Sequence, residues 1–176
     1  MPPLPEEIFD VVDQADRVIG QAPRSQVHSL HLLHRAVHVL LFDRSDALLV
    51  QKRSATKDTY PGCYDSSASG HLNAGEEYDA AAARETQEEL GLVIPAGTLQ
   101  KKFKIDACAD TGWEFVWVYT GSNTSPVVPN PDEIELVTAL SRTQIESLLV
   151  TQPESCARSF RRILSEIFDR GLFHNQ

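Results

Sequence analysis

The stretch 70–92 constrains this chain most, because a loop-forming segment is followed directly by a helix-forming one. Gly70 and Gly75 tolerate the tight or left-handed backbone of a loop. The run 80–83 consists of alanine, the residue with the highest helix propensity, and Gly91 is suited to end the helix as a C-cap. The stretch therefore predicts one loop and one helix around which the rest of the chain is arranged.

Three acids of this helix are poorly placed for ordinary helix stability. Glu85, Glu88 and Glu89 stand at i, i+3 and i+4, so their side chains point to one face. Like charges at this spacing repel by about 0.2–0.5 kcal/mol per pair, and the helix dipole opposes negative charge near the C-terminus. A Mg²⁺ or Mn²⁺ ion would turn this repulsion into coordination. The alternative is a solvated acidic face, the usual role of clustered charges.

The spacing of the whole stretch favours the metal site. A glycine, five residues, a glutamate, seven residues, Arg-Glu, two residues, Glu-Glu, one residue, a glycine and an aliphatic residue follow one another. This pattern resembles the Nudix box of pyrophosphohydrolases, with Thr86 where the family usually has an aliphatic residue. The resemblance implies one to three Mg²⁺ ions, or Mn²⁺, held by Glu85, Glu88, Glu89 and a backbone carbonyl at Gly70.

The same resemblance implies the fold class. It is a mixed α/β fold, a Nudix-type α/β/α sandwich in which a mixed β-sheet is flanked by helices. At 176 residues the chain fits one domain with a full core. We expect a single domain over residues 1–176, with an N-terminal extension (1–33) that contains a β-hairpin and a Nudix core (34–176).

Composition excludes several classes of function. The chain has 16 Lys and Arg residues against 25 Asp and Glu, and its net charge of −9 argues against nucleic acid as a partner. No apolar run approaches the roughly 20 residues of a membrane span, so no membrane partner is expected. The start of the chain lacks the features of a signal peptide. Three cysteines without paired spacing are typical of a reduced protein, so we expect a cytoplasmic location.

The N-terminal extension predicts a hairpin followed by a histidine-rich segment. Apolar residues flank the turn sequence 13–16, and the resulting hairpin could mediate a homodimer or simply cover a sheet edge. A short helix is predicted within 23–33, with Ser25 as its N-cap. His28, His31 and His34 are three residues apart. No neighbouring carboxylate or cysteine completes a ligand set, so the sequence argues against a metal site there.

Two strands precede the box, and basic residues follow the second. The segments 36–42 and 48–53 predict these strands, and His38 within the first is interpreted as a core histidine. Lys52, Arg53 and Lys57 fall within six residues, which in so acidic a chain makes them candidates for binding a phosphate. The alternative is a solvated strand end.

An acid interrupts the apolar strand predicted over residues 113–119. A buried carboxylate is costly unless it is paired, protonated or close to a metal. Glu114 is therefore a candidate metal-site residue or base, and the alternative is that it faces solvent. The remaining sequence predicts a last strand over 134–140, a helix capped by Ser141, and a final core-packing helix over about 154–169.

The resemblance extends to the Nudix branch that includes isopentenyl-diphosphate isomerase. It rests on segments between residues 16 and 71 and covers roughly two thirds of the chain. It implies that Arg53 and Lys57 contact a diphosphate and that His71 is a metal ligand. It also implies that Glu114 is an acid that helps to protonate the substrate.

Ser69 separates hydrolysis from isomerisation. The isomerase uses a cysteine immediately before the Gly-His pair to move a proton on an alkene, whereas this chain has a serine there. A hydroxyl is a much poorer acid and base than a tuned thiol. The chain also has the Arg-Glu and Glu-Glu pairs that hydrolysis requires. We therefore expect a Mg²⁺-dependent pyrophosphohydrolase that cleaves a diphosphate linkage in a nucleoside diphosphate derivative or a related small molecule.

The expected partner is thus a small-molecule diphosphate substrate. The predicted catalytic residues are Glu85, Glu88, Arg84 and Glu114, with Glu88 or Glu114 as the base and Arg84 orienting the glutamates. Two alternatives remain at this point. One is an isomerase of the isopentenyl-diphosphate type, and the other is a nucleotide-binding module without turnover.

Overall fold

The computed structural model describes residues 6–95 and 97–173. The proline-rich start of the N-terminal extension, to which the prediction about a signal peptide refers, lies outside these residues. Within the described part of the chain, no helix combines the length and the apolar character that a membrane crossing requires.

The described residues form nine β-strands and four α-helices. The strands are β1 Ile8–Val12, β2 Val18–Pro23, β3 His34–Phe42, β4 Leu48–Arg53, β5 Tyr64–Asp65, β6 Ala68–His71, β7 Gln100–Ile105, β8 Glu114–Ser122 and β9 Ile134–Leu140. The helices are α1 Arg24–Ser29, α2 Tyr78–Leu90, α3 Arg142–Thr151 and α4 Arg158–Asp169.

The main sheet is mixed. Strands β5, β4, β3, β8 and β7 lie side by side in that order, β6 also pairs with β3, and β9 also pairs with β4. Strands β3 and β8 are parallel, whereas β3 and β6 are antiparallel. Strands β1 and β2 form a separate antiparallel hairpin. The predicted mixed sheet and N-terminal hairpin are therefore confirmed.

Strand β3 separates two hydrophobic cores, because successive side chains of a strand point to opposite faces. Leu40 and Phe42 belong to the core that contains the buried side of α4. Val39 and Leu41 belong to the core that contains the buried alanines of α2. Helices therefore flank the sheet on both faces, as predicted.

The histidine-rich segment differs from its predicted extent. Helix α1 ends at Ser29, and Pro23 rather than the predicted Ser25 occupies its N-cap. His31 has a φ of 52°, in the left-handed region that an α-helix does not use. This turn stops the helix and leads the chain directly into β3.

The last helix begins later than predicted. A short 3-10 turn, Pro153–Ser155, precedes α4. Cys156 between them is extended because it forms a β-bridge with Tyr64, and the Ala157 N–H donates to the Tyr64 carbonyl at 2.9 Å. This pairing with β5 removes the first predicted residues from the helix. Four of the predicted core side chains of α4 are fully buried: Phe160, Ile163, Leu164 and Ile167.

One carboxylate attaches the N-terminal hairpin to the rest of the fold. Asp16, in the β1–β2 turn, accepts hydrogen bonds from Arg35 Nε at 2.6 Å and from the Tyr78 hydroxyl at 3.0 Å. Lys104 Nζ lies 2.5 Å from the same carboxylate. These contacts connect β3, α2 and β7 to the hairpin. The Asp16 side chain is only 10% exposed, so they are largely shielded from water.

Replacing Asp16 with alanine is expected to lower the free energy of unfolding by about 3 kcal/mol, because the partly buried Arg35 loses its carboxylate. Urea unfolding monitored by circular dichroism measures the change. Glu146→Gln is the control, since it removes only an exposed ion pair to Arg142 within α3 and should change stability by about 0.5 kcal/mol or less. Equal effects of the two substitutions would contradict the structural role of Asp16.

Candidate active site and metal centre

Helix α2 presents the predicted metal-binding glutamates beside β6. It ends at Leu90 and is capped by Gly91, whose φ of 67° is left-handed and whose N–H donates to the Gln87 carbonyl at 2.9 Å. Thr86, the departure from the box pattern, is fully buried, and its hydroxyl donates to the Ala82 carbonyl at 2.7 Å. The hydroxyl is thus satisfied within the helix, and the departure affects packing rather than the acidic face.

Arg84 connects the carboxylates of the box. Its guanidinium donates to both oxygens of Glu76 at 2.8 Å, to Glu85 at 2.7 Å and to Glu88 at 2.9 Å. A further bond to the His71 carbonyl, at 2.9 Å, attaches the same group to β6. The hydrogen bonds that Arg84 donates to Glu76, together with the charge of Glu85, raise its already high pKa. Arg84 therefore holds Glu85 and Glu88 in place as a permanent cation.

Glu85 and Glu89 are carboxylates largely removed from water. Glu89 is 5% exposed and accepts hydrogen bonds from the Ser69 N–H and the Gln51 side chain, both at 3.0 Å. The Glu85 carboxylate packs so closely on Gly70 that a Cβ there would lie 2.1 Å from it. Burial raises the pKa of Glu85 to about 7 and that of Glu89 to about 8. A bound divalent cation would offset the cost that burial imposes on both charges.

A second group of metal-ligating side chains, here called the histidine group, consists of His28, His34, His71 and Glu114. One ligand atom from each lies within 4.8 Å of the others. His71 Nε2 lies 2.9 Å from Glu114 Oε1, and His34 Nε2 lies 3.4 Å from the same oxygen. Phe9 of the hairpin stacks on the His71 ring, with 4.7 Å between the ring centroids. Four different elements, α1, β3, β6 and β8, therefore build this group.

The electrostatics of the histidine group favour a cation. Burial raises the pKa of Glu114, but His71 and His34 outweigh burial and hold that pKa well below its usual range. Burial, reinforced by His71 and His34, lowers the pKa of His28 to about 4. The Nε2 atom of His28 is buried and has no hydrogen-bond partner among the described residues. A neutral imidazole with an unpaired nitrogen beside a carboxylate is suited to bind a metal.

Sequence reasoning placed His71 with the glutamates and left His28 and His34 out. In the structure the His71 ring contacts Glu114, and only its carbonyl contacts Arg84. The histidine spacing was a visible signal, but the carboxylate that completes the group lies far along the chain. It meets His34 only because β3 and β8 pair in parallel register.

Both groups line one cavity of about 730 Å³. Its walls include three glutamates of α2 and three members of the histidine group: Glu85, Glu88, Glu89, His28, His71 and Glu114. Carboxylate oxygens alone suit Mg²⁺ or Mn²⁺, whereas three imidazoles with one carboxylate suit a transition metal such as zinc, manganese or iron. The residues therefore fit two cations of different character, on two walls of one cavity.

The predicted phosphate-binding residues divide into two sets. Arg53 and Lys57 line the cavity, and both already have acidic partners. Arg53 donates to Asp65 at 3.3 Å, and Lys57 pairs with Glu133. Lys52 is not among the lining residues, and its Nζ lies 2.9 Å from Glu135. A phosphate in the cavity would therefore meet Arg53 and Lys57 rather than Lys52.

Comparisons with known sequences point to one family. A family model described as the NUDIX domain matches residues 32–160. An uncharacterised Nudix hydrolase from Streptomyces coelicolor is 37% identical over 147 residues, which cover 82% of this chain and 80% of the relative. An isopentenyl-diphosphate Delta-isomerase from Photorhabdus laumondii is 30% identical over 163 residues, covering 91% of this chain and 92% of the relative.

Solved structures support the same fold. A crystal structure of a Deinococcus radiodurans protein matches with a TM-score of 0.74 and 25% identity, covering 83% of this chain and 90% of the other. The NUDIX domain of a Shewanella oneidensis protein, crystallised with ADP-ribose, matches with a TM-score of 0.59 and 15% identity, covering 77% and 86%. At 15% identity, the match to the Shewanella oneidensis domain shows a similarity of fold alone.

Gly70→Ala is expected to lower kcat by about 100-fold or more, because its Cβ would displace the Glu85 carboxylate, and misplacing a catalytic group by about 1 Å costs that much. Gly20→Ala is the matched control, since a Cβ there meets nothing within 4 Å. Kinetics with divalent metal and thermal unfolding of both variants measure the effect. Full activity in Gly70→Ala would show that the Glu85 position does not matter.

His71→Ala is expected to bind one equivalent less of Zn²⁺ or Mn²⁺ than the wild type, because it removes one of the four side chains of the histidine group. His31→Ala is the control, because His31 stacks on Trp113 outside the histidine group. The protein is stripped of metal with a chelator, reloaded with Zn²⁺ or Mn²⁺ and dialysed. Elemental mass spectrometry then measures the number of metal ions bound per chain. Equal metal content in His71→Ala and the wild type would exclude this group as a metal site.

Proposed function

The chain belongs to the Nudix family, and from this premise we propose that it is a divalent-metal-dependent pyrophosphohydrolase. The proposed substrate is a nucleoside diphosphate derivative or a related small molecule, cleaved at its diphosphate linkage. As a Nudix hydrolase the protein is an enzyme that uses a divalent metal, and Mg²⁺ is the ion we propose, with Mn²⁺ as a substitute.

The pair of buried carboxylates, Glu85 and Glu89, carries this proposal. Both line the cavity, and burial raises both pKa values, so their ionised forms need a cation. Glu85, Glu88, Glu89 and the Gly70 carbonyl would hold that ion. When bound, it neutralises the diphosphate and lowers the pKa of coordinated water.

Glu88 is the residue we propose as the general base. Its side chain is 56% exposed, lines the cavity and is oriented by Arg84 at 2.9 Å, so it can take a proton from an attacking water. Glu114 is the weaker candidate of the two, because His71 and His34 already hold it and its pKa is lowered. We assign Glu114 to the histidine group and to orientation of the ligand.

Arg53 and Lys57 are proposed to bind the phosphate that is not attacked. A phosphate in the cavity competes with Asp65 for Arg53 and with Glu133 for Lys57. Both lysine and arginine then exchange a carboxylate for a phosphate, which carries more negative charge. This exchange favours a ligand with a diphosphate over one with a single carboxylate.

An isomerase acting on a small alkyl diphosphate is the second candidate. The histidine group and the relative named isopentenyl-diphosphate Delta-isomerase support it. Ser69 argues against isomerase activity, because a hydroxyl replaces the thiol that would move the proton. Deuterium uptake into isopentenyl diphosphate without release of phosphate would identify this activity.

A small-molecule diphosphate is the partner that we infer for this cavity. The cytoplasmic location and the homodimer through the hairpin stay predictions from the sequence. The same holds for the expected absence of nucleic-acid and membrane partners.

Glu88→Gln is expected to lower Mg²⁺-dependent hydrolysis by about 100-fold or more, the usual contribution of a general base, while the fold is retained. A panel of nucleoside di- and triphosphates, dinucleotides and ADP-ribose is screened for release of phosphate, pyrophosphate or monophosphate. Glu77→Gln is the control, because Glu77 is an exposed N-cap residue of α2 outside the cavity lining.

Unchanged turnover by Glu88→Gln would refute the assignment of the base. Binding of nucleotides without turnover, in the wild type and with either metal, would refute the hydrolase and favour a binding module.

A further inference from the structure

Among the described acids of the N-terminal extension, only Glu7 lines the cavity that the α2 glutamates share. It stands immediately before β1, and its side chain is 52% exposed. The neighbouring Glu6 lies outside the lining, and its carboxylate accepts a hydrogen bond from the Ser25 N–H of α1 at 2.5 Å. The two adjacent acids therefore have different surroundings, and Glu7 is the one open to a ligand in the cavity.

Backbone hydrogen bonds fix the position of Glu7. Its carbonyl accepts from the Arg24 N–H at 2.9 Å, and the carbonyl of Ile8 accepts from the Ala74 N–H at 2.8 Å. Ala74 belongs to the loop of the Nudix box, between β6 and α2. The start of β1 is therefore attached directly to the loop that leads into the metal-binding helix.

The carboxylate of Glu7 has one oxygen in use and one free. Oε2 accepts from Arg24 Nη1 at 2.9 Å, and Oε1 makes no hydrogen bond within the described part of the chain. A carboxylate accepts on both oxygens, so the pair with Arg24 leaves Glu7 able to bind a cation. Burial raises the pKa of Glu85, and the charges of Glu88 and Glu7 add to that rise. Glu7 therefore acts on the same part of the cavity as the glutamates of α2.

The glutamates of α2 leave room for a further ligand. Arg84 bonds to one oxygen of Glu85 and to one of Glu88. Glu89 likewise has a single oxygen that accepts hydrogen bonds from the protein. Each carboxylate thus offers one oxygen to a cation, whereas Mg²⁺ and Mn²⁺ coordinate about six. Even with the Gly70 carbonyl, such an ion keeps positions that another carboxylate can fill.

We propose that Glu7 is a ligand of the divalent cation held by the α2 glutamates, so that the N-terminal extension supplies part of the metal site. This role rests on the proposed function, because the cation is the same. Oε1 of Glu7 is the coordinating atom, since Arg24 occupies Oε2. The site would then combine two accessible carboxylates, Glu7 and Glu88, with the largely buried pair of α2.

Binding of Mn²⁺ to the substrate-free protein tests this role. The parent protein and all variants carry His71→Ala, which removes the histidine group as a competing site. The signal of free Mn²⁺ in electron paramagnetic resonance gives the Kd. Glu7→Gln is expected to raise this Kd by at least about tenfold, the lower end of the loss that follows removal even of a residue that orients a ligand. Glu85→Gln should raise it at least as much, because the measured ion lies at α2.

Two further variants separate coordination from other effects. Glu6→Gln removes the same charge from the neighbouring residue outside the cavity lining, and it should leave the Kd unchanged. Arg24→Gln removes the partner of Glu7 and leaves the carboxylate in place. It should leave the Kd unchanged or lower it, because a positive charge near the cation is lost.

Hydration of the bound ion gives a second measurement. Mn²⁺ that loses a carboxylate ligand takes up water, so proton relaxation of the solvent should report about one more coordinated water in Glu7→Gln than in the parent. Equal Kd changes in Glu7→Gln and Glu6→Gln would overturn the proposal. An equal weakening by Arg24→Gln, an unchanged Kd in Glu85→Gln or an unchanged hydration in Glu7→Gln would overturn it as well.

These measurements need no substrate, so failure of Glu7 as a ligand is distinguishable from failure of the proposed function. If Glu7→Gln weakens Mn²⁺ binding as expected but the wild type hydrolyses no diphosphate, the metal ligand stands and the hydrolase does not. If the wild type hydrolyses a diphosphate while Glu7→Gln binds Mn²⁺ like its parent, the ligand is wrong and the hydrolase stands.

Discussion

The candidate site depends on the guanidinium of Arg84. One planar cation contacts three carboxylates and a main-chain carbonyl: Glu76, Glu85, Glu88 and the carbonyl of His71. Without it, the box would bring several negative charges into a partly dry cavity with no fixed counter-charge. The same cation reaches the loop, the helix and β6, so it connects these three parts of the site. A guanidinium suits this role, since its five donors lie in one rigid plane.

Successive side chains of β3 point to opposite faces of the sheet, and this alternation separates the two groups of candidate metal ligands. One set of side chains packs on α2, and Gly70 on the paired strand leaves the space that the Glu85 carboxylate fills. The other set includes His34 and His38, which face the opposite side of the sheet. The carboxylates of α2 and the histidine group thus approach one cavity from two directions.

The N-terminal segment completes the cavity as well as covering the sheet. Glu7, just before β1, lines the cavity together with Arg24 and His28 of α1. Phe9 of β1 stacks on two rings of the histidine group. The hairpin is held in place by the largely buried Asp16 and by a hydrogen bond from the Gly75 N–H to Asp10 at 2.9 Å. Loss of the contacts that hold the hairpin would therefore also disturb the part of the cavity lining that the N-terminal segment supplies.

Local patterns in the sequence by themselves determined the loop, helix and one-face arrangement of the glutamates, together with most strands. Helix geometry repeats over a few residues, so Glu85 and Glu88 are placed by spacing alone. Only the tertiary structure decided that His34 meets Glu114 and that His38, buried as predicted, also borders the cavity, because strand pairing between distant segments sets both. Sequence spacing carries no information about such pairing, since its register depends on burial across the whole sheet.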